Sequence, residues 1–340
     1  MLRKMMLTIN RALFTSLFIF TFVLLYSCAS LDKANIEIPK DVNSKSVVKD
    51  IPQEQQKQAQ VITVVGSEKV EPVTVEEQKV ETKKIKQKTK TSKATKPVLM
   101  TVKNPFKIGE VMKWDLYYIG LRAATLTVEI KPFVMLNGRK VFHFNGVAQT
   151  TSLMKYIYRV YDVIDSYVDF EYFAPLKMTL VMDESKQHVS MVIHYDHKKG
   201  KSYFWKKRID AKGQITETKK EDYFTIMAQD IFSSLYYMRT HDLKVGDKVK
   251  YVVHDNGKNW TLTLSVLKNE KVWTRLGNVD CLLLHPTVER EGEKFTKATM
   301  SLWVTNDERK IPVKFEAEVK IGSMKGYIKD YIIPKEPKEM

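Results

Sequence analysis

Cysteine is scarce: of 340 residues only Cys28 and Cys281 carry a thiol. Two thiols cannot make a disulfide framework, so stability has to come from packing. Aromatic residues are missing altogether from 29–104, which also holds a single glycine. Such a stretch cannot bury enough apolar surface to offset the entropy of ordering it. Also absent are a GxSxG elbow, an HExxH helix, a phosphate loop, a CxxC pair and a dinucleotide fingerprint. No common hydrolase, zinc or nucleotide chemistry is therefore advertised. Acids are the minority charge, 40 against 56 Lys and Arg, for a net charge of +16. That excess divides as +3 over 1–28, +5 over 29–104 and +8 over the remainder. A charge so spread favours anionic surfaces in general over one dedicated groove.

What is present begins at the N-terminus. Arg3, Lys4 and Arg11 precede an apolar run from Ala12 to Leu25, then Leu25-Tyr26-Ser27-Cys28. A basic start, a short apolar core and a small residue before cysteine describe a secretory signal. The run is shorter than the roughly 20 residues a membrane-spanning helix needs. The tetrapeptide resembles the bacterial lipobox, which implies cleavage after Ser27 and acylation of Cys28. At about 0.8 kcal/mol per buried methylene, two or three acyl chains anchor the protein for good. The competing reading is an uncleaved signal anchor. Ala29, in place of Asp, suggests the outer membrane facing the periplasm by analogy with enteric bacteria. Residues 28–104 then read as a lysine-rich tether. Its stretch Lys83–Lys96 has seven lysines and no acid, either a solvated spacer or an adhesive for anionic polymer.

From 105 to 340 the chain reads as one folded domain, mostly β. Thr125–Ile130 alternates apolar and polar, Asn137-Gly138 is a hairpin signal, and Val141–Ala148 returns. Ile157–Val168, Val189–Tyr195, Ser202–Trp205, Trp260–Val266, Met300–Val304 and Val313–Ile321 read as further strands. Turns fall at Lys199-Gly200, Asn256-Gly257 and Glu291-Gly292. One segment departs from this period: Asp230–Thr240 spaces Ile231, Leu235 and Met238 along one helical stripe, with Phe232 and Tyr236 beside it. Asp230 suits its N-cap and Arg239 its negative end.

The stretch Pro105–Gly120 recurs 137 positions later as Asp242–Gly257, and 169–178 matches 306–315 at the same offset. A shared offset at two separated places indicates an internal duplication. The expected architecture is all-β: a curved antiparallel sheet or barrel of two duplicated halves with one short helix packed inside.

Three segments, 106–130, 229–247 and 302–322, are similar to the bacterial envelope family catalogued as domain of unknown function 3108. The resemblance covers 105–330. It implies an envelope lipoprotein and brings no catalytic residues with it. The family usually has glycine where Ala124 stands.

Asp162 and Asp165 fall on opposite faces of a strand, and Asp165 and Asp169 share a face about 13 Å apart, too far for a glycosidase pair. Turn and solvent-face roles suit all three acids. His188, His194 and Asp196 share a face that reads as wet rather than metal-binding. His241, His254 and His285 lie beside turns without ligand spacing. Cys281 reads as a small core residue. Lys198–Arg208 interleaves bases with Tyr203, Phe204 and Trp205, either a hairpin with its aromatics inward and lysines solvated or a contact for acidic lipid, glycan or another envelope protein.

The expected function is non-enzymatic, with no metal or cofactor and no nucleic-acid partner. An apolar or lipid-like ligand would sit among Trp114, Tyr118, Phe232, Leu235, Tyr236, Trp260 and Trp303. The alternatives are a tethered scaffold for a protein or an anionic wall polymer, and an envelope hydrolase.

Overall fold

The computed structural model describes residues 105–290, 299–318 and 322–334, with the backbone of 293–294. The expected signal, Cys28, the tether, the Glu291-Gly292 turn and the inward Val319 and Ile321 lie outside those residues. Within them, fifteen strands form one sheet around one α-helix.

The first half is an antiparallel meander of six strands. It comprises β1 (Val111–Tyr118), β2 (Leu121–Leu136), β3 (Arg139–Thr150), β4 (Val160–Asp169), β5 (Pro175–Glu184) and β6 (Gln187–Asp196). A hairpin follows, β7 (Lys201–Asp210) and β8 (Ile215–Tyr223), and then the helix α1 (Ser233–Arg239). The second half holds β9 (Lys248–Asp255), β10 (Lys258–Thr274), β11 (Gly277–Arg290), β13 (Thr299–Thr305), β14 (Pro312–Glu318) and β15 (Ser323–Ile332). The two-residue β12 (Glu293–Lys294) pairs only with β11.

The halves superimpose in sequence more fully than their side chains suggest. Shifted by 137, β1 falls on β9 residue for residue, and β2 and β5 start where β10 and β14 do. The backbone repeats as well. Ile119 and Gly120 have φ of 47° and 79°, and their counterparts Asn256 and Gly257 have 53° and 75°. Two consecutive positive φ values define the hairpin turn whose twist matches its strands. Phe173 and Lys310, also 137 apart, are both left-handed at 53° and 47°. Gly109 N donates to Ile130 O in the first half, and Gly246 N to Val266 O in the second.

Strand order shows how the halves join. It runs β8-β7-β6-β5-β4-β3-β2-β1-β15-β14-β13-β11-β10-β9. The first strand of one half therefore pairs with the last of the other, β1 with β15. The equivalent second junction would pair β9 with β6. The β7–β8 hairpin occupies that place instead, so the sheet stays open, and the closed barrel does not form. Its edges still meet: Gln229 bridges Val253 of β9, and Ser202 Oγ of β7 lies 2.9 Å from His254 Nε2.

Several strands depart from the reading above. The long strand expected from Ile157 starts at Val160, because Met154–Tyr156 form a 3-10 turn held by Thr151. The strand expected over Ser202–Trp205 extends to Asp210. In it, only Phe204 of the three aromatics points inward. Tyr203 and Trp205 lie half-buried on the outer face, where Trp205 Nε1 donates to Glu217.

Candidate functional site

The site grows from the helix. Phe232, not Asp230, is its N-cap, and Asp230 holds the turn leading in: Oδ1 accepts from Phe232 N at 2.8 Å and Ser233 N at 2.6 Å. Its other oxygen accepts from Ser166 Oγ on β4, which ties that turn to the sheet. Ile231, Phe232, Leu235, Tyr236 and Met238 are all buried, as is Arg239. A helix apolar on nearly every side belongs in a core, and the sheet wraps this one.

Each contact has a named counterpart. Tyr236 stacks on Phe144 with centroids 3.8 Å apart and meets Phe106 edge-on at 5.5 Å. Phe232 reaches β3 only because residue 146 is glycine, since a Cβ there would lie 2.8 Å from Phe232 Cζ. On the other side, Tyr251 of β9 donates its hydroxyl to Ser234 O at 3.0 Å. The helix thus touches strands of both halves.

Arg239 is not a surface charge at a helix end. Its guanidinium is fully buried and grips Glu110 with two bonds, Nη1–Oε1 at 2.6 Å and Nη2–Oε2 at 3.0 Å. Nε donates to Arg309 O, and Tyr331 donates its hydroxyl to Glu110. Four separate chain segments therefore meet at one ion pair. Its repeat counterpart, Asp247, merely caps a turn by accepting from Lys244 N. Matched backbone carries unmatched side-chain duties.

Of the seven expected ligand residues, six line the inner surface: Trp114 and Tyr118 on β1, Phe232, Leu235 and Tyr236 at the helix, and Trp260 on β10. All six are buried. Trp303 is buried too, but on the outer face. Leu302 and Val304 point inward, so period two turns Trp303 out, where Glu270 accepts its indole N–H at 2.7 Å and Lys314 Nζ covers the ring at 4.1 Å. The hydroxyl of Tyr236 and the indole nitrogen of Trp114 make no hydrogen bond among the described residues.

The inner surface also holds polar groups. Asp162 is buried on it rather than facing solvent, beside Glu184 of the neighbouring strand. Burial, with the Glu184 charge second, pushes its carboxyl up to about 8. Glu184 in turn accepts from Tyr158 and Gln187. The alternation that put Val160 and Ile164 inward also put Asp162 there, so the signal was present. Asp165 and Asp169 do take the outer-face and turn roles: Asp165 meets His143 and Asn145, and Asp169 accepts from Glu171 N and Tyr172 N.

A second polar group lies where the sheet edges meet. Burial pushes Asp255 up to about 7 and also raises Asp230, and the Tyr195 hydroxyl, which feels both charges, makes no hydrogen bond among the described residues. His254 is lowered to about 4 by burial, which keeps it neutral. Its Nδ1 then donates to Asn259 Oδ1 at 3.1 Å while Nε2 accepts from Ser202 Oγ. The order Ser-His-Asn is that of an activated nucleophile. Here both Ser202 and His254 are only 1% exposed, so the chain serves to join the edges.

Asp196 accepts from Lys198 N and Lys199 N and does not share a partner with His194. Among the described residues, no three of His, Cys, Asp and Glu gather as metal ligands. Burial pushes the Cys281 thiol up to about 12, so it is inert at neutral pH.

No curated protein matches the chain. Among the solved structures that resemble it are the following three. A β-barrel-like protein of domain of unknown function DUF1849 from Brucella abortus aligns over 67% of this chain and 99% of its own, with 11% identity and a TM-score of 0.44. A candidate exported protein of YmcC-like fold from Bacteroides fragilis aligns over 67% and 97%, with 8% identity and a TM-score of 0.30. A candidate lipoprotein from Parabacteroides distasonis aligns over 68% and 100%, with 12% identity and a TM-score of 0.31. The family model described as "Protein of unknown function (DUF3108)" matches residues 113–329, and the chain belongs to that family.

Proposed function

We propose that the protein is a non-enzymatic lipoprotein of the cell envelope, anchored through Cys28, whose inner surface takes an apolar ligand bearing a hydrogen-bond acceptor. The observation that carries this is the pair of buried donors, Trp114 Nε1 and Tyr236 OH, left without partners among aromatic side chains. An unmet buried donor costs about 1–3 kcal/mol, which a ligand carbonyl or ester oxygen would recover. Apolar walls with a few polar groups are the usual composition of such sites. Access requires the helix to shift, because all six inward candidates are covered.

The anchor is argued from the signal and from Leu25-Tyr26-Ser27-Cys28. It makes export, and with Ala29 the outer membrane, part of the same proposal. The test is solvent extraction of the purified lipidated chain, followed by mass spectrometry. The acyl chains on Cys28 stay covalently bound, so a released amphiphile is the ligand. About one per chain is expected. No released amphiphile, together with no uptake of a fluorescent fatty acid, overturns the reading.

A scaffold for anionic polymer is the second reading, favoured by one row on the outer face. Lys131, His143, Tyr167, Lys177, His194 and Tyr203 lie side by side across β2 to β7. At about 4.8 Å per strand this row is about 24 Å long. Crosslinking in intact cells separates the two, since a scaffold traps polymer or protein and a carrier traps lipid.

A further inference from the structure

Five exposed apolar side chains cluster at one end of the first half. Around the β1–β2 turn, Ile119 is 55% and Leu121 63% exposed, and in the β3–β4 connection Leu153, Tyr156 and Ile157 reach 71%, 82% and 61%. The two connections are neighbours: Ala124 pairs with Thr150, and Thr151 N donates to Ala123 O at 3.0 Å. The 3-10 turn Met154–Tyr156 buries none of its residues. None of these five side chains packs into the core. Contiguous exposed apolar groups of this kind mark a contact surface.

The two connections themselves carry only basic charge. Neither 119–123 nor 150–160 contains an acid, while Arg122, Lys155 and Arg159 lie within them. Arg122 and Arg159 pair with Asp115 and Asp183, and Lys155 stands 5.3 Å from the Tyr156 ring centre. Aliphatic side chains, a tyrosine and a lysine on a projecting tip are the composition of the bilayer interface, where rings sit at headgroup level and lysines meet anionic lipid. A protein partner would more often find a groove or a flat face.

We propose that this rim docks onto the anionic lipid surface that holds the anchor, turning the domain rim-down on its own membrane. The inference rests on the anchored reading given above. Chain length permits it. Pro105 enters at the opposite end, and β1 rises about 26 Å from there to the rim. The 76 residues from Ala29 to Asn104 would span about 114 Å even at helical rise, several times what is needed.

The test uses the lipidated chain in vesicles of phosphatidylcholine with a minor fraction of phosphatidylglycerol. An environment-sensitive dye is attached at Tyr156→Cys or, as a control, at Trp273→Cys. Trp273 is 78% exposed on the β10–β11 hairpin, and Cys281 is buried and does not compete for dye. Docking predicts that spin-labelled lipid quenches the dye at 156 at least about threefold more than at 273. Leu153→Ser with Ile157→Ser removes the difference. Chain that floats with vesicles but is quenched equally at both positions overturns docking and leaves the anchor standing. Chain that does not float overturns both. Energy transfer between labelled copies at 156 without lipid quenching assigns the rim to a second copy and overturns docking.

Discussion

Glu110 and Arg239 are held by the shape of everything around them. The pair is desolvated on all sides, so its Coulomb gain is offset by what both ions lose in water. Removing one partner leaves an unpaired buried charge, and Arg239→Met or Glu110→Ala is expected to cost about 3–5 kcal/mol. In chemical denaturation the double substitution Glu110→Leu, Arg239→Met should be less destabilised than the sum of the singles. Additive losses would show that the contact is incidental.

Asp162 makes a second prediction at this scale. Its carboxyl is raised to about 8 in the fold, so the folded chain holds a proton that the unfolded chain sheds near its ordinary value. Stability is full below that ordinary value and falls as pH rises toward 8. Asp255, raised to about 7, acts with the same sign, while His254, lowered to about 4, acts oppositely below about 6.5. The net decline therefore shows most clearly from about pH 6.5 to 8. Urea midpoints across that window should fall for the native chain and much less for Asp162→Asn. A native midpoint that rises there contradicts the burial of the acid.

Among the elements, the helix depends on a missing side chain. Gly146→Ala forces a methyl to within 3 Å of Phe232 and Ile164, and overpacking of this kind costs about 1–3 kcal/mol. Thermal unfolding with Phe232→Leu added should recover part of the loss. What the sequence disclosed at this scale follows burial. Strands with one wet and one dry face alternate visibly, and Asn-Gly pairs marked two hairpins. The edge strand β8, ITETKKEDY, buries neither face, so no alternation exists to be read. β15 was obscured differently. Its inward row is Met324, Gly326 and Ile328, and the ring of Phe315 covers the glycine so closely that a Cβ would lie 2.1 Å from Cε1. The sheet supplies an apolar group that the strand itself lacks. Within the candidate site, the helical stripe and inner aromatics were legible because periodicity decides them. The Glu110–Arg239 pair was not, since 129 residues separate the two and only the closed fold brings them together.

On the scale of the whole molecule, two copies of one six-strand unit meet head to tail at β1 and β15, while a hairpin and a helix fill the place of the second junction. That insertion keeps the sheet open and places the helix between halves that would otherwise close on each other. The helix is then the plug of the interior and, on the proposed reading, the part that must move for a ligand to enter. Hydrogen exchange of the lipidated chain, measured with and without a saturating fatty-acid probe, reads this most directly. The account predicts slower exchange across 231–240 and 112–118 when the probe is present, because a bound ligand would meet Trp114 and Tyr236 and resist opening of the helix. Exchange in both segments unchanged by the probe would contradict it.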